Sequence, residues 1–230
     1  MRLSSLGDSA LVIRIAPDGA AGDTATIEAV RGAVACLAAA DLPGVVDVAA
    51  ASATVTLFFD PGITSATLLG PLVGRLLAAR ADRAAAAPRV VSLPVCYGGV
   101  HGPDLDSIAA HAGLAADDVI RLHAGAEYRV AMIGFLPGFP YLVGLPAALA
   151  TPRLAEPRTE VPAGAVGIAG DRTGIYPLAS PGGWRIIGRT PLALFRPDHD
   201  PPTRLAAGDV VRFTPIDAGE FVRLAAEAGR

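Results

Sequence analysis

The stretch Tyr128–Leu142, YRVAMIGFLPGFPYL, decides how the second half of this chain folds. Its centre interleaves Phe135, Phe139 and Tyr141 with Gly134, Pro137, Gly138 and Pro140. No regular helix runs through it, because each proline removes a backbone donor and its ring clashes with the preceding turn. Proline also argues against a central strand, where every N–H is needed by the ladder. Glycines permit close backbone approach, and prolines stiffen a loop that presents aromatic rings at low entropic cost. Two readings follow: a binding wall, or a structural loop whose aromatics plug a barrel.

Working outward, the neighbouring sequence is punctuated by glycine and proline, with short strand-like runs at Tyr128–Ile133, Val166–Ala169, Trp184–Ile187, Leu192–Phe195 and Val210–Phe213. Short strands so punctuated predict a barrel or sandwich. Before them, Val91, Leu93 and Val95 alternate as a strand. Asp104–Gly113 and Asp117–His123 read as two short helices, Asp104 being an N-cap and Asp117-Asp118 favouring the start of the second. A final helix is predicted around Gly219–Ala228.

The first 80 or so residues differ in character. Ala10–Ile15 suits a strand after a Gly7-Asp8 turn, and Asp23 or Thr24 caps a helix with the apolar stripe Ile27, Val30, Val34 and Leu37. Val45–Ala49 and Val55–Phe59 predict a hairpin. Ser65 caps a second helix carrying Leu68, Leu69, Leu72, Val73, Leu76 and Leu77. The order implies a sheet covered on one face by two helices. The alanine-rich stretch Arg83–Pro88 reads as a boundary, giving domains 1–87 and 88–230.

Composition excludes several chemistries. All 19 basic side chains are arginine, so a phosphate-loop lysine, a Schiff-base lysine and a lysine base are absent. A net charge of −3 supplies no basic field for nucleic acid or anionic lipid. Cys36 and Cys96 lie in different predicted domains and suit a reducing compartment. No secretory leader is visible and no apolar run approaches the roughly 18 residues of a membrane span, so the cytoplasm is the expected address.

Candidate chemistry concentrates between Tyr128 and Trp184, which hold six of the 12 aromatic residues. The segment Thr173–Trp184, TGIYPLASPGGW, adds Tyr176, Ser180 and the only tryptophan, Trp184. This density favours a ligand or partner surface. Arg158 and Arg189 flank it and suit a carboxylate or phosphate, although Arg189 equally suits anchoring a turn. His123 and Glu127, just upstream, are candidates for acid/base or hydrogen-bonding roles. Ser180 lacks the Gly-x-Ser-x-Gly elbow, and Cys96 reads as a small buried residue. His101, His111 and His123 lack metal-ligand spacing, and Asp198-His199-Asp200 reads as a solvated loop.

These segments in order resemble the Kip inhibitor/allophanate hydrolase subunit 1 family, associated with the B subunit of bacterial 5-oxoprolinase. The resemblance is carried by Tyr128–Leu142, Thr151–Arg153, Pro157-Arg158, Val161–Ile168, Thr173–Pro177, Ser180–Trp184, Gly188–Pro191 and Leu205–Phe213, together with Gly7–Leu11 and Pro94–Gly99. It implies an α+β fold: a small two-layer α+β N-terminal domain followed by a cyclophilin-like β-barrel. It implies work in a complex with separate subunits A and C, the latter allophanate hydrolase subunit 2-like, opening 5-oxoproline to glutamate with ATP. ATP would then act at the level of the complex, with none assigned to this chain. A histidine-kinase inhibitor of the Kip type, and an allophanate hydrolase subunit 1 acting on another small amide, are the alternatives it carries. Prolyl isomerisation rests on fold analogy alone. Arg172 stands where many relatives have glutamine, adding charge beside the expected pocket.

Overall fold

The computed structural model describes residues 1–17, 22–79 and 88–228. The chain divides into two compact units, residues 1–87 and 88–230. The alanine run of the expected boundary lies outside the described residues.

In the first unit, strands β1 (Arg2–Leu6), β2 (Ala10–Arg14), β3 (Val45–Ala50) and β4 (Thr54–Phe59) form an antiparallel sheet ordered β1-β2-β4-β3. Helices α1 (Thr24–Ala38) and α2 (Ala66–Ala79) cover one face. Asp23 caps α1, its Oδ1 accepting from the Thr26 N–H at 2.6 Å. Leu11 and Ile13 of β2 and Val55, Leu57 and Phe59 of β4 alternate inward against Val30, Ala33, Leu37, Leu69 and Val73. Leu68, expected in the α2 stripe, is instead 64% exposed. It lies one residue, or about 100°, off the seam made by Leu69 and Val73. Strand β1 is not anticipated by the sequence; it is an edge strand with only Leu3 partly covered, so it carries no two-residue alternation.

The second unit is built on a closed seven-stranded barrel. Its strands are β5 (Val90–Tyr97), β6 (Tyr128–Ile133), β7 (Pro140–Val143), β9 (Ala165–Ala169), β10 (Arg172–Ile175), β12 (Arg185–Arg189) and β13 (Val210–Ile216). Around the barrel the order is β10-β7-β6-β13-β5-β12-β9, with β13 parallel to β5 and the other pairs antiparallel. Strands β8 (Arg158–Val161) and β11 (Ser180–Gly182) form a separate two-stranded ribbon. Helices α3 (Leu105–Ala112), α4 (Ala116–Gly125) and α5 (Ala218–Ala228) complete it.

Two expectations are corrected here. Leu192–Phe195 is not a strand: apart from a single bridge, Phe195 to Thr203, it is loop, and it is apolar because Leu194 packs into the barrel core. Pro140–Val143 is a barrel strand despite its proline. Pro140 is its first residue, opposite Ile133, a position that tolerates a missing N–H.

Candidate functional site

The barrel wall sorts its side chains by a period of two. From β9, Val166 and Ile168 enter the barrel core while Ala165 and Ala169 face the other way; from β12, Ile187 points in and Ile186 out. Leu142 and Ile175 likewise belong to the interior. Phe139, Tyr176 and Trp184 pack with the outward set, so these rings form a second core on the outside of the wall and do not plug the barrel, whose interior holds Tyr128 instead.

This outer core is dense. Phe139 stands edge-on to Tyr176 at 5.2 Å and to Trp184 at 5.5 Å between ring centroids, and Tyr141 meets Phe139 at 4.9 Å. Small residues beneath make the room. A Cβ on Gly174 would lie 3.0 Å from both the Phe139 and Trp184 rings, and one on Gly182 would lie 2.3 Å from the Tyr176 hydroxyl oxygen. Burial pushes the Tyr176 phenol up, opposed by a backbone hydrogen bond from Trp184 and by the charges of Arg153 and Arg158.

Phe135 is the outlier. The residue is 62% exposed, its ring edge-on to Phe139 at 5.5 Å and to Tyr176 at 6.4 Å, and its φ is +68°. A non-glycine residue in this region carries about 1–2 kcal/mol of strain, held here by Gly134 N–H bonded to Phe139 O and Phe139 N–H to Leu136 O. Phe135→Gly removes that strain together with a mostly exposed ring. Its unfolding free energy is expected to stay within about 1 kcal/mol of the parent in urea denaturation. A loss above about 3 kcal/mol would make the ring a core element instead.

Arg158, at the start of β8, donates from Nη2 to Asp104 Oδ1 at 2.7 Å, while its Nη1 is buried without a partner among the described residues. Asp104 holds the N-cap position of α3 as expected, but its carboxylate makes no cap hydrogen bond; Oδ2 instead accepts from the Ile186 N–H at 2.6 Å. Two further arginines join this corner: Arg153, which closes the Thr151–Arg153 motif but is not among the expected site residues, and Arg185, which lies in none of the motifs. The Arg153 guanidinium sits 6.0 Å from the Trp184 ring centroid. Arg185 donates to Pro152 O at 2.9 Å and to Ser107 Oγ at 3.2 Å.

The remaining expected residues lie elsewhere or act locally. Arg189 donates from Nε to Ala163 O at 2.7 Å and lies over Phe221 at 5.8 Å, which matches the turn-anchoring reading. The Ser180 hydroxyl donates to its neighbour's carbonyl, Pro181 O, at 3.3 Å. Glu127 is exposed and paired with Arg212 at 2.7 Å. Arg172 lies 3.3 Å from Asp171. Cys96 is buried, and burial pushes its thiol up, away from thiolate character.

His123 is sealed inside the barrel, stacked on Phe213 at 4.7 Å. Thr173 Oγ1 donates to Gly167 O at 2.9 Å, so at 3.1 Å it accepts from His123 Nε2–H. His123 Nδ1 is thereby left to accept from the Tyr97 hydroxyl at 2.8 Å. Desolvation holds its pKa down at about 3. An unfolded histidine protonates near pH 6.5, so between there and about 3 the unfolded chain binds the extra proton. Stability is therefore lost as pH falls through this window, approaching about 1.4 kcal/mol per pH unit. His123→Gln, which cannot take up a proton, is expected to flatten that slope in acid denaturation; an unchanged slope would refute the assignment.

Concavities of about 310 and 490 Å³ occur in the first unit, lined by Asp41 and Asp47 and by Ser4, Ser5 and Thr67 among apolar neighbours. Neither brings a base to a nucleophile. Among the described residues no group of three or more His, Cys, Asp or Glu side chains gathers, and no helix is long and apolar enough to cross a membrane.

Both units have counterparts among known proteins. Residues 1–205 match the family described as carboxyltransferase domain, subdomain C and D. A Bacillus subtilis protein, named as the B subunit of 5-oxoprolinase, is 41% identical over 230 residues, covering 96% of this chain and 95% of its own length. The Escherichia coli O157:H7 protein of the same name is 56% identical over 131 residues, 57% of this chain and 60% of that one. The crystal structure of TTHA0988 superposes with a TM-score of 0.80 at 36% identity over 92% of this chain, which spans 40% of that longer one. The Kluyveromyces lactis urea amidolyase shares the fold, at a TM-score of 0.78 and 19% identity over 98% of this chain and 15% of its own. The chain belongs to the carboxyltransferase subdomain C and D family, together with the bacterial proteins named as the B subunit of 5-oxoprolinase.

Proposed function

We propose that this chain is the B subunit of a cytoplasmic, ATP-dependent 5-oxoprolinase, working with separate subunits A and C and inactive alone. The observation that carries this reading is the end-to-end similarity to the Bacillus subtilis protein, which extends across both units. The outer aromatic core and its arginine corner supply what an anionic cyclic amide needs: apolar contact for a ring and guanidinium forks for negative charge. A lactam is stabilised by amide resonance, so its opening is coupled to ATP. Water adds at the ring carbonyl, the C–N bond breaks, and the ring nitrogen leaves as the amine of glutamate. Cleavage of ATP to ADP and phosphate consumes a second water. Because the chain has no lysine, the permanently cationic side chain it can offer a phosphate is arginine.

The test is glutamate formation from 5-oxoproline and ATP by the chain alone, by subunits A and C, and by all three together. Activity confined to the complete mixture is expected. An assembled mixture that forms no glutamate would sink the reading, and inhibition of histidine-kinase autophosphorylation would be measured next.

A further inference from the structure

We infer that Arg153 and Arg158, at the edge of the Tyr176–Trp184 pair, form a receptor for the carboxylate of a small cyclic compound. The inference rests on the proposed function, whose substrate is such a molecule, and assigns recognition of its carboxylate to this chain.

The corner is assembled from four elements. In the ribbon, Arg158 lies directly opposite Gly182, which in turn lies against the Tyr176 hydroxyl. Arg158 is therefore held beside the outer aromatic core. Arg153 reaches the same place from the loop before β8, over the Trp184 ring. Arg185 braces that loop from β12 by holding Pro152 O, the carbonyl immediately preceding Arg153. Asp104, at the start of α3, holds Arg158 from behind. The electrostatic influence of both Arg153 and Arg158 on the Tyr176 phenol agrees with this convergence.

The charges are not balanced within the corner. Asp104 is the one carboxylate that pairs with any of the three arginines among the described residues. It engages one nitrogen of the Arg158 fork; the other, Nη1, is buried without an acceptor among the described residues, and a buried donor ordinarily has one. Among the described residues Arg153 has only the Trp184 ring as a partner, and it is exposed. One free guanidinium and one half-used fork match a single carboxylate. They fall short of a triphosphate, with its several charges, and this corner offers no glycine-rich phosphate loop. The Trp184 indole beside them supplies an apolar edge for the ring bearing that carboxylate.

Trp184 is the only tryptophan, so fluorescence of the full chain under tryptophan-selective excitation reports on this corner alone. Saturable quenching or enhancement is expected with 5-oxoproline, and none over the same range with 2-pyrrolidinone, the same lactam without its carboxylate. In the assembled complex, Arg153→Gln is expected to raise KM for 5-oxoproline about tenfold or more, with a much smaller change in kcat and an unchanged KM for ATP. Arg158→Lys keeps an ion pair with Asp104 but loses the second fork nitrogen, and should move KM in the same direction. If the complex turns over and Arg153→Gln leaves KM for 5-oxoproline within about twofold, the receptor assignment is overturned while the proposed function stands. Saturation of the Trp184 signal by phosphate or ATP, but not by 5-oxoproline, would likewise overturn it in favour of a phosphate site. If the complex forms no glutamate, the proposed function fails by itself; the contrast between 5-oxoproline and 2-pyrrolidinone in the Trp184 titration still decides the receptor.

Discussion

Gly102→Ala is expected to prevent stable folding of the barrel unit. A Cβ at this position would lie 2.0 Å from Ile187 O, 2.3 Å from Ile187 C and 2.6 Å from Gly98 N. All three are backbone atoms, so no side-chain rotation relieves the overlap. The loop cannot withdraw either, because it is tied to β12 and to itself. Gly98 N–H donates to Ile187 O at 3.0 Å, Gly102 N–H to Gly98 O at 2.8 Å, and Asp104 N–H to Ile186 O at 2.9 Å. Relief requires breaking these bonds at the start of α3, which places the expected loss above about 4 kcal/mol, in the exceptional range for one substitution. Gly170→Ala is the control. Gly170 has φ +59° and open space around its hypothetical Cβ, so only left-handed strain of about 1–2 kcal/mol applies. Urea denaturation of the two variants checks the contrast. A Gly102→Ala protein at least as stable as the Gly170→Ala protein would show that the loop yields more easily than its hydrogen bonds imply.

Asp104→Ala is expected to destabilise by about 3–5 kcal/mol, the range for removing one partner of a buried ion pair. Its carboxylate is 10% exposed and serves two donors from distant parts of the chain, Arg158 Nη2 and the Ile186 N–H. Truncation leaves a mostly covered guanidinium without its counter-charge and a buried amide without an acceptor. Asp104→Asn keeps an acceptor and removes only the charge, so it should lose appreciably less. A double-mutant cycle of Asp104→Ala with Arg158→Ala isolates the pair, with a coupling above about 1 kcal/mol expected. A loss below about 1 kcal/mol for Asp104→Ala would mean that water replaces the carboxylate and that the corner is wetter than its burial suggests. The same variant should also raise KM for 5-oxoproline, because Arg158 would lose the contact that aims it.

Much of the local structure is legible in the chain. The stripe Ile27, Val30 and Leu37 places α1, and Asp23 marks its start through a side-chain cap spanning three residues. Alternating Val55, Leu57 and Phe59 places a strand and its buried face. These signals are local: a helix repeats every 3.6 residues and a strand every two, so a short window contains both the element and its inner side. Where an element escapes prediction, that signal is missing. Strand β1 is an exposed edge, and Pro140 opens a strand in a position where its lost donor does no harm. The reverse error arises at Leu192–Phe195, whose apolar residues serve the barrel core from a loop. Burial alone does not say which backbone conformation delivers a side chain.

The sequence by itself determined the fold class, the family, the concentration of aromatics between Tyr128 and Trp184, and a cationic chemistry made entirely of arginine. Tertiary structure alone decided which side of the barrel wall the aromatics occupy. Alternation separates two faces but does not label one as interior; closure of the ring of strands does that. It also decided that Asp104 serves Arg158, 54 residues away, and that Arg153 and Arg185 stand with them. It sealed His123 between Tyr97 and Thr173, turning a candidate base into a neutral hydrogen-bonding post. In each case the deciding quantity, a charge's partner or a group's access to water, is set by residues that only folding brings together.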